Sequence, residues 1–151
     1  MERGGEEVGV DVRRVDEAAL ARFGEAFARR LRPPPAVVVA VSGELGAGKT
    51  TLIRAVARAL GVTEPVTSPT FALVHRYAGA AAPVYHVDAY RLRRAADAAD
   101  LGLDDMLAEA AIVLIEWPEK LGVALPPVQH RIALAYTDDA RFRTVDLTDV
   151  P

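Results

Sequence analysis

The stretch "AVVVAVSGELGAGKTT", residues 36–51, determines the fold of this chain. Its first seven residues form a run rich in β-branched valine, which is typical of a strand buried on both faces and therefore central in a parallel sheet. A glycine loop follows at once, and "KTTLIRAVARAL" predicts a helix that ends at Gly61. The order of strand, loop and helix favours an α/β fold.

Four residues of the loop, Gly43, Gly48, Lys49 and Thr50, fit the pattern G-x-x-x-x-G-K-[ST]. Glycines let successive backbone N–H groups point inward at a helix N-terminus, where they bind phosphate oxygens. The lysine of such a loop reaches the β- and γ-phosphates, and the threonine hydroxyl joins the ligands of a magnesium ion. A glycine turn without a ligand is the alternative, but the complete pattern in its expected context predicts a nucleoside triphosphate site.

The base is expected to be adenine. Guanine-specific proteins with this loop usually read the base with an Asn-Lys-x-Asp segment, and the chain contains no asparagine. A backbone carbonyl can also discriminate between bases, so this argument favours ATP without excluding GTP.

Length and composition limit the classes of function. A chain of 151 residues is expected to form one domain, residues 1–151, and its net charge of −3 argues against a protein that grips nucleic acid alone. The absence of cysteine excludes disulfides and cysteine-based zinc sites. No apolar run reaches membrane-spanning length, and "MERGGEEVG" lacks the features of a signal peptide, so we expect a cytoplasmic protein.

The periodicity of the flanking segments predicts the other elements. Residues 15–31 predict a helix whose apolar face carries Leu20, Phe23, Phe27 and Leu31. Strands are predicted at residues 71–77, 84–90 and 111–115, and a helix in two pieces, broken at Gly102, at residues 91–110. Residues 130–147 alternate around an Asp-Asp turn and predict a hairpin at a sheet edge.

Two carboxylates follow predicted strands. Glu116 comes directly after "AIVLI", where proteins with this loop place the acid that holds magnesium. Asp88 ends the strand "YHVD" on the same face as His86, and it could bind magnesium through water or act as a general base. A helix N-cap is the alternative role for Asp88, and an ordinary strand histidine is the favoured interpretation of His86.

Two further features remain open at this stage. Ser68 and Thr70 flank a proline in "TSPTF", which could be a switch loop that orders around a γ-phosphate or a simple turn. Trp117 is the only tryptophan and follows Glu116, so it could stack on a base or a partner, or it could anchor the core.

Taken together, "GELGAGKTT", "SPTF", "YHVDAYRL", "LGLDDML" and "IEWPE" resemble the TsaE family, over about residues 12–136. The resemblance implies a three-layer fold of the P-loop NTPase type, with a mainly parallel central sheet and added antiparallel strands. It implies a magnesium-dependent ATPase, weak alone, that is needed to make threonylcarbamoyladenosine beside the tRNA anticodon. It also implies the TsaB–TsaD heterodimer as the partner, with tRNA met through that complex.

The matching motifs imply roles for individual residues. Catalytic roles fall to Lys49, Asp88 and the loop residue Thr70, and magnesium ligation falls to Thr50 and Glu116. Nucleotide contacts fall to Leu45, Gly46, Ala47, Gly48, Lys49, Thr50 and Thr51, and to Glu17, which the resemblance places where the family's N-terminal segment approaches the base. One departure from the family appears at residues 93–100, "RRAADAAD", where relatives often carry a Glu-rich stretch that would contact a partner.

Two other functions are compatible with the sequence. A small-molecule kinase would close arginines such as Arg91, Arg93 and Arg94 over the transferred group, although the chain is short for a lid and an acceptor domain. A non-enzymatic module that is gated by nucleotide would need no hydrolysis.

Overall fold

The computed structural model describes residues 11–67 and 73–150. Their elements are β1 (Asp11–Val15), α1 (Glu17–Ala28), β2 (Val37–Ser42), α2 (Lys49–Ala59), β3 (Val74–Ala78), β4 (Pro83–Asp88), a 3-10 helix (Ala95–Leu101), α3 (Leu103–Ala108), β5 (Ile112–Glu116), a second 3-10 helix (Pro118–Ala124), β6 (His130–Tyr136) and β7 (Arg143–Asp149). No helix in these two ranges is long and apolar enough to cross a bilayer.

All seven strands belong to one sheet in the order β1-β7-β6-β2-β5-β4-β3. The centre is parallel, because β2 pairs with β5 and β6 and β5 pairs with β4 in that sense. The outer strands are antiparallel to their neighbours. The predicted fold class, α/β with a mainly parallel centre and added antiparallel strands, is confirmed.

Burial on both faces explains the central position of β2. Val37, Val39 and Val41 join the core with α1 and α2, whereas Val38 and Ala40 join the core with α3 and the 3-10 helices. A strand without a polar face is stable only between two covered faces. The run of valines therefore produces the three layers.

The N-terminal helix begins later than its apolar pattern predicts. Val15 is the last residue of β1, and Asp16 caps α1 by accepting a hydrogen bond from the Ala19 N–H at 2.7 Å. The predicted helical face is confirmed, since Leu20, Phe23 and Phe27 are buried. β1 was missed because its pairing with β7 depends on residues more than a hundred positions away.

The C-terminal hairpin forms as predicted, but its expected place at the edge of the sheet is wrong. β6 pairs with the central strand β2, and β1 covers the outer side of β7. The two-piece helix is also corrected, because its first piece is a 3-10 helix that begins only at Ala95. The predicted break at Gly102 is confirmed by its positive φ of 79°.

Candidate functional site

The glycine loop between β2 and α2 takes a conformation that needs glycine. Gly48 immediately precedes α2 with φ of 105°, and a Cβ there would lie 2.9 Å from Leu20 Cδ2. A side chain at this position would be strained by the backbone and would press on α1. The backbone of the loop therefore leads directly into the N-terminus of α2, where N–H groups and the helix dipole favour an anion.

Lys49 is buried beside this loop. Its Nζ donates to the carbonyl oxygens of Gly43 at 2.5 Å and of Glu44 at 2.9 Å, and it lies 4.5 Å from the Trp117 ring centre. Burial lowers the pKa of the ammonium, and the charges of Glu116, Asp88 and Glu119 oppose that shift. The cation is thus surrounded by acceptors and by an aromatic face.

The two predicted carboxylates lie side by side. Asp88 and Glu116 are register partners at the carboxyl ends of the parallel strands β4 and β5. Burial raises the pKa of Asp88, and the neighbouring charge of Glu116 adds to the effect. The Asp88 carboxylate also accepts a hydrogen bond from the Tyr90 N–H at 3.0 Å, which turns the chain and ends β4.

His86 holds Glu116 from inside the protein. Its Nε2 lies 2.5 Å from the Glu116 Oε2, and the two side chains are 1% and 4% exposed. The histidine does not line the cavity, and its Nδ1 has no hydrogen-bond partner among the described residues. The interpretation as an ordinary strand histidine is therefore incomplete, because His86 orients a carboxylate that does face the cavity.

A cavity of about 470 Å³ brings most of the predicted residues together. Its walls come from the glycine loop, the start of α2, the ends of β4 and β5, and the residue after the 68–72 segment. They are Leu45, Gly46, Gly48, Lys49, Thr50, Thr51, Leu73, Asp88, Tyr90, Arg91, Glu116 and Trp117. Ala47 is fully buried within the loop and does not line the cavity, and its N–H donates to the Glu44 carbonyl at 3.1 Å.

The residues of this cavity fit magnesium only in company with phosphate. In the described ranges there is no group of three or more histidine, aspartate or glutamate side chains that could hold a metal. Magnesium is commonly bound by one or two carboxylates, water and substrate phosphates. The Thr50 hydroxyl and the Glu116 carboxylate, both on the cavity wall, are a donor set of that kind.

A second cavity of about 320 Å³ lies on the other side of the same loop. Both cavities share Gly46, Gly48 and Thr51, and the second adds Glu17 at the start of α1. Glu17 is therefore next to the glycine loop but separate from Lys49 and the carboxylates. The opposite wall of the second cavity is formed by Ala140, Arg141 and Arg143 of the C-terminal hairpin.

Trp117 lies at the first cavity. Its ring centre is 5.0 Å from that of Tyr90, and it also packs against the core under α3, so neither of the two expected roles excludes the other. Thr70 and Ser68 lie outside the described residues. Leu73, the first residue described after them, lines the cavity.

The sequence did not indicate the cavity residue Tyr90 or the hairpin residues Tyr136 and Arg143. It also did not indicate that His86 holds Glu116. The Tyr136 hydroxyl donates to the Leu45 carbonyl, and Arg143 Nη2 donates to the Gly46 carbonyl at 3.3 Å. The alternation that placed His86 with Asp88 was a usable signal. Nothing local could have indicated the hairpin residues.

Comparisons with known proteins agree with this architecture. A sequence model of the family "Threonylcarbamoyl adenosine biosynthesis protein TsaE" matches residues 15–145. The Haemophilus influenzae tRNA threonylcarbamoyladenosine biosynthesis protein TsaE is 40% identical over 129 residues, 83% of this chain and 82% of that protein. The Streptomyces coelicolor protein of the same name is 47% identical over 103 residues, 66% of this chain and 68% of its own length.

A solved structure extends the likeness to the fold. The crystal structure of Bacillus subtilis YdiB superposes with a TM-score of 0.78 at 28% identity, covering 97% of this chain and 90% of that one. The family match spans most of the chain and includes the glycine loop, both carboxylates and most of the hairpin. The chain belongs to the TsaE family of threonylcarbamoyl adenosine biosynthesis proteins.

Proposed function

We propose that this protein is a magnesium-dependent ATP hydrolase that serves threonylcarbamoyladenosine synthesis on tRNA, in a cytoplasmic complex with a TsaB–TsaD heterodimer. The observation that carries the proposal is the meeting of Lys49, Asp88 and Glu116 with the glycine loop in one cavity. Phosphoryl chemistry requires three parts: a loop for the phosphates, a cation, and acidic side chains.

Each residue has a role that follows from its place. The backbone of residues 45–51 surrounds the phosphates, and the Lys49 ammonium neutralises charge on the β- and γ-phosphates. Thr50 and Glu116 would hold magnesium, which when bound withdraws charge from phosphate oxygens. His86 keeps the Glu116 carboxylate turned toward the cavity through the 2.5 Å contact.

Asp88 is placed to handle the attacking water. Its raised pKa makes it a better proton acceptor than an ordinary aspartate, although it must still be ionised at the working pH. A water bridge from Asp88 to magnesium is the other role compatible with this position. Thr70 is proposed for the switch loop, and Glu17, beside the second cavity, for contact with the base or ribose.

The acidic net charge of −3 favours a protein that meets tRNA through its partners rather than alone. ATP hydrolysis should therefore be measured in three steps: with the isolated protein, with the TsaB–TsaD pair, and with tRNA added. We expect slow hydrolysis alone and a clear increase in the complex. Equal rates in all three mixtures would contradict the dependence on partners.

A non-hydrolysable ATP analogue separates this proposal from a nucleotide-gated module. In the reconstituted complex we expect at most one round of tRNA modification with the analogue and repeated rounds with ATP. Repeated rounds with the analogue would show that hydrolysis is dispensable.

A small-molecule kinase remains the second candidate, because Arg91 lines the cavity near Asp88. Such an enzyme would consume ATP faster when its acceptor metabolite is added, without any protein partner. The same hydrolysis assay, run with metabolite extracts in place of TsaB–TsaD, tests this alternative.

A further inference from the structure

The C-terminal hairpin contacts the glycine loop from the side away from Lys49. Tyr136, the last residue of β6, and Arg143, the first of β7, are register partners. The guanidinium carbon of Arg143 lies 4.9 Å from the Tyr136 ring centre, so the two side chains pack as one unit. This unit donates to two successive loop carbonyls, those of Leu45 and Gly46.

The bond to Leu45 sets the direction of a neighbouring N–H group. The Leu45 carbonyl and the Gly46 N–H belong to one planar trans peptide, in which they point in opposite directions. A hydroxyl that holds the carbonyl on the hairpin side therefore turns the Gly46 N–H away from the hairpin. An N–H fixed in this way can bind an anion without reorganising when the ligand arrives.

Close packing shows that Tyr136 acts on this peptide directly. A Cβ built on Gly46 would lie 2.7 Å from the Tyr136 hydroxyl oxygen, and the φ of Gly46 is 79°. The ring can approach the backbone this closely because position 46 has no side chain. The arrangement is not core packing, since Tyr136 is 46% exposed and Leu45 is 59% exposed.

Arg143 is anchored so that it can support the tyrosine. Its Nη1 donates to the carbonyl oxygens of Ala140 at 2.8 Å and of Phe142 at 3.0 Å, within the turn of the hairpin. The guanidinium thus joins the turn, the tyrosine ring and the loop. The hairpin that holds the loop carries none of Lys49, Asp88 and Glu116.

We propose that Tyr136, supported by Arg143, is a positioning residue that orients the phosphate-binding loop before nucleotide binds. The inference rests on the proposed function, because the loop must bind phosphate for its orientation to matter. The catalytic groups themselves stay with α2, β4 and β5.

The test compares Tyr136→Phe with the matched control Tyr85→Phe. Both changes remove one hydroxyl and keep the ring, and the Tyr85 hydroxyl bonds to Arg76 and Glu109 rather than to the loop. Calorimetry with ATP and with ADP should show an affinity about three- to tenfold lower for Tyr136→Phe, which is the effect of one ordinary hydrogen bond. Tyr136→Leu, which also removes the ring that Arg143 packs on, should lose more than Tyr136→Phe.

Two measurements on the nucleotide-free protein separate positioning from general stability. Thermal unfolding midpoints of Tyr136→Phe and wild type should agree within a few degrees, because Tyr136 is 46% exposed and lies outside the core. The NMR signal of the Gly46 amide should shift more, and its hydrogen should exchange faster, in Tyr136→Phe than in Tyr85→Phe. Wild-type affinity in Tyr136→Phe, or an equal loss in both variants, would overturn the inference.

Failure of the underlying function gives a different result. If wild-type protein binds neither ATP nor ADP, alone or with TsaB–TsaD, the proposed function fails and this inference falls with it. If the wild-type protein binds nucleotide and Lys49→Ala does not, the proposed function stands. Wild-type nucleotide affinity in Tyr136→Phe would then contradict only the inference about Tyr136.

Discussion

The parallel centre of the sheet and its antiparallel hairpin do different work at the same loop. The centre supplies the charged groups of the cavity, since Lys49 begins α2 and Asp88 and Glu116 end β4 and β5. The hairpin contributes hydrogen bonds to loop carbonyls and one wall of the second cavity. The difference teaches that a reactive site and its support can come from parts of the chain with unlike sequence signals.

The largest expected effect comes from the centre. Lys49→Ala removes the ammonium proposed to meet the β- and γ-phosphates, so we expect ATP hydrolysis in the proposed TsaB–TsaD complex to fall by about a thousandfold. Steady-state phosphate release measures this loss, and the control with normal rates is Glu109→Gln, which follows α3 and bonds to Arg76 and Tyr85 outside the cavity. Wild-type turnover by Lys49→Ala would mean that ATP is not hydrolysed in this cavity.

A core residue of the hairpin should affect folding rather than chemistry. Ile132 of β6 is 1% exposed, and Ile132→Ala should lower the free energy of unfolding by about 3 kcal/mol. Denaturant unfolding measures this loss, and Val12→Ala, at an exposed position of β1, is the control with a small change. An unchanged midpoint for Ile132→Ala would mean that the hairpin is not part of the cooperative core.

Removing the support of Glu116 should give an intermediate effect. His86→Ala leaves every cavity residue in place but frees the Glu116 carboxylate, so the magnesium concentration needed for half-maximal ATP hydrolysis should rise by about ten- to a hundredfold. His86→Gln, which retains a side-chain N–H donor, should recover part of the loss. An unchanged magnesium requirement in His86→Ala, with normal folding, would reduce the histidine to core filling.

The smallest effect concerns stability and its pH dependence. Because the pKa of Asp88 is raised in the folded protein, ionising it disfavours folding above the raised pKa. Asp88→Asn keeps an oxygen to accept from the Tyr90 N–H and removes this cost, so the nucleotide-free, EDTA-treated variant should melt slightly higher than wild type at neutral pH.

The sign of that difference follows the protonation of Asp88. As pH falls through the raised pKa, the folded wild type takes up a proton, so its disadvantage should shrink and vanish below the unfolded pKa. Thermal melts from acid to neutral pH measure the difference. A gap that widens on acidification would contradict the assigned shift.

The same comparison explains what the sequence could predict. The glycine loop, the run of valines and the acids at the ends of β4 and β5 are short local patterns, and each is confirmed as an element or as part of the cavity wall. Parallel neighbours bring their carboxyl ends together, so Asp88 and Glu116 meet once β4 and β5 are adjacent in the sheet.

The rest depends on pairing between distant segments. β1 is short and carries two arginines, so only its partner β7 makes it a strand. The bond between Tyr136 and Leu45 joins residues 91 positions apart, and that between Arg143 and Gly46 joins residues 97 apart. No periodicity within a segment contains such information, and the role of His86 likewise required the register of β4 against β5.

These separations have a consequence for the order of events during synthesis. The ribosome completes the glycine loop long before it reaches the hairpin, so the nascent loop has its lysine and amides but not its brace. Contacts between distant segments close long loops at an entropic cost, so we expect the bonds from the hairpin to the glycine loop to form late in folding. We therefore expect tight ATP binding only after the final strands have left the ribosome. Incomplete chains should bind ATP weakly.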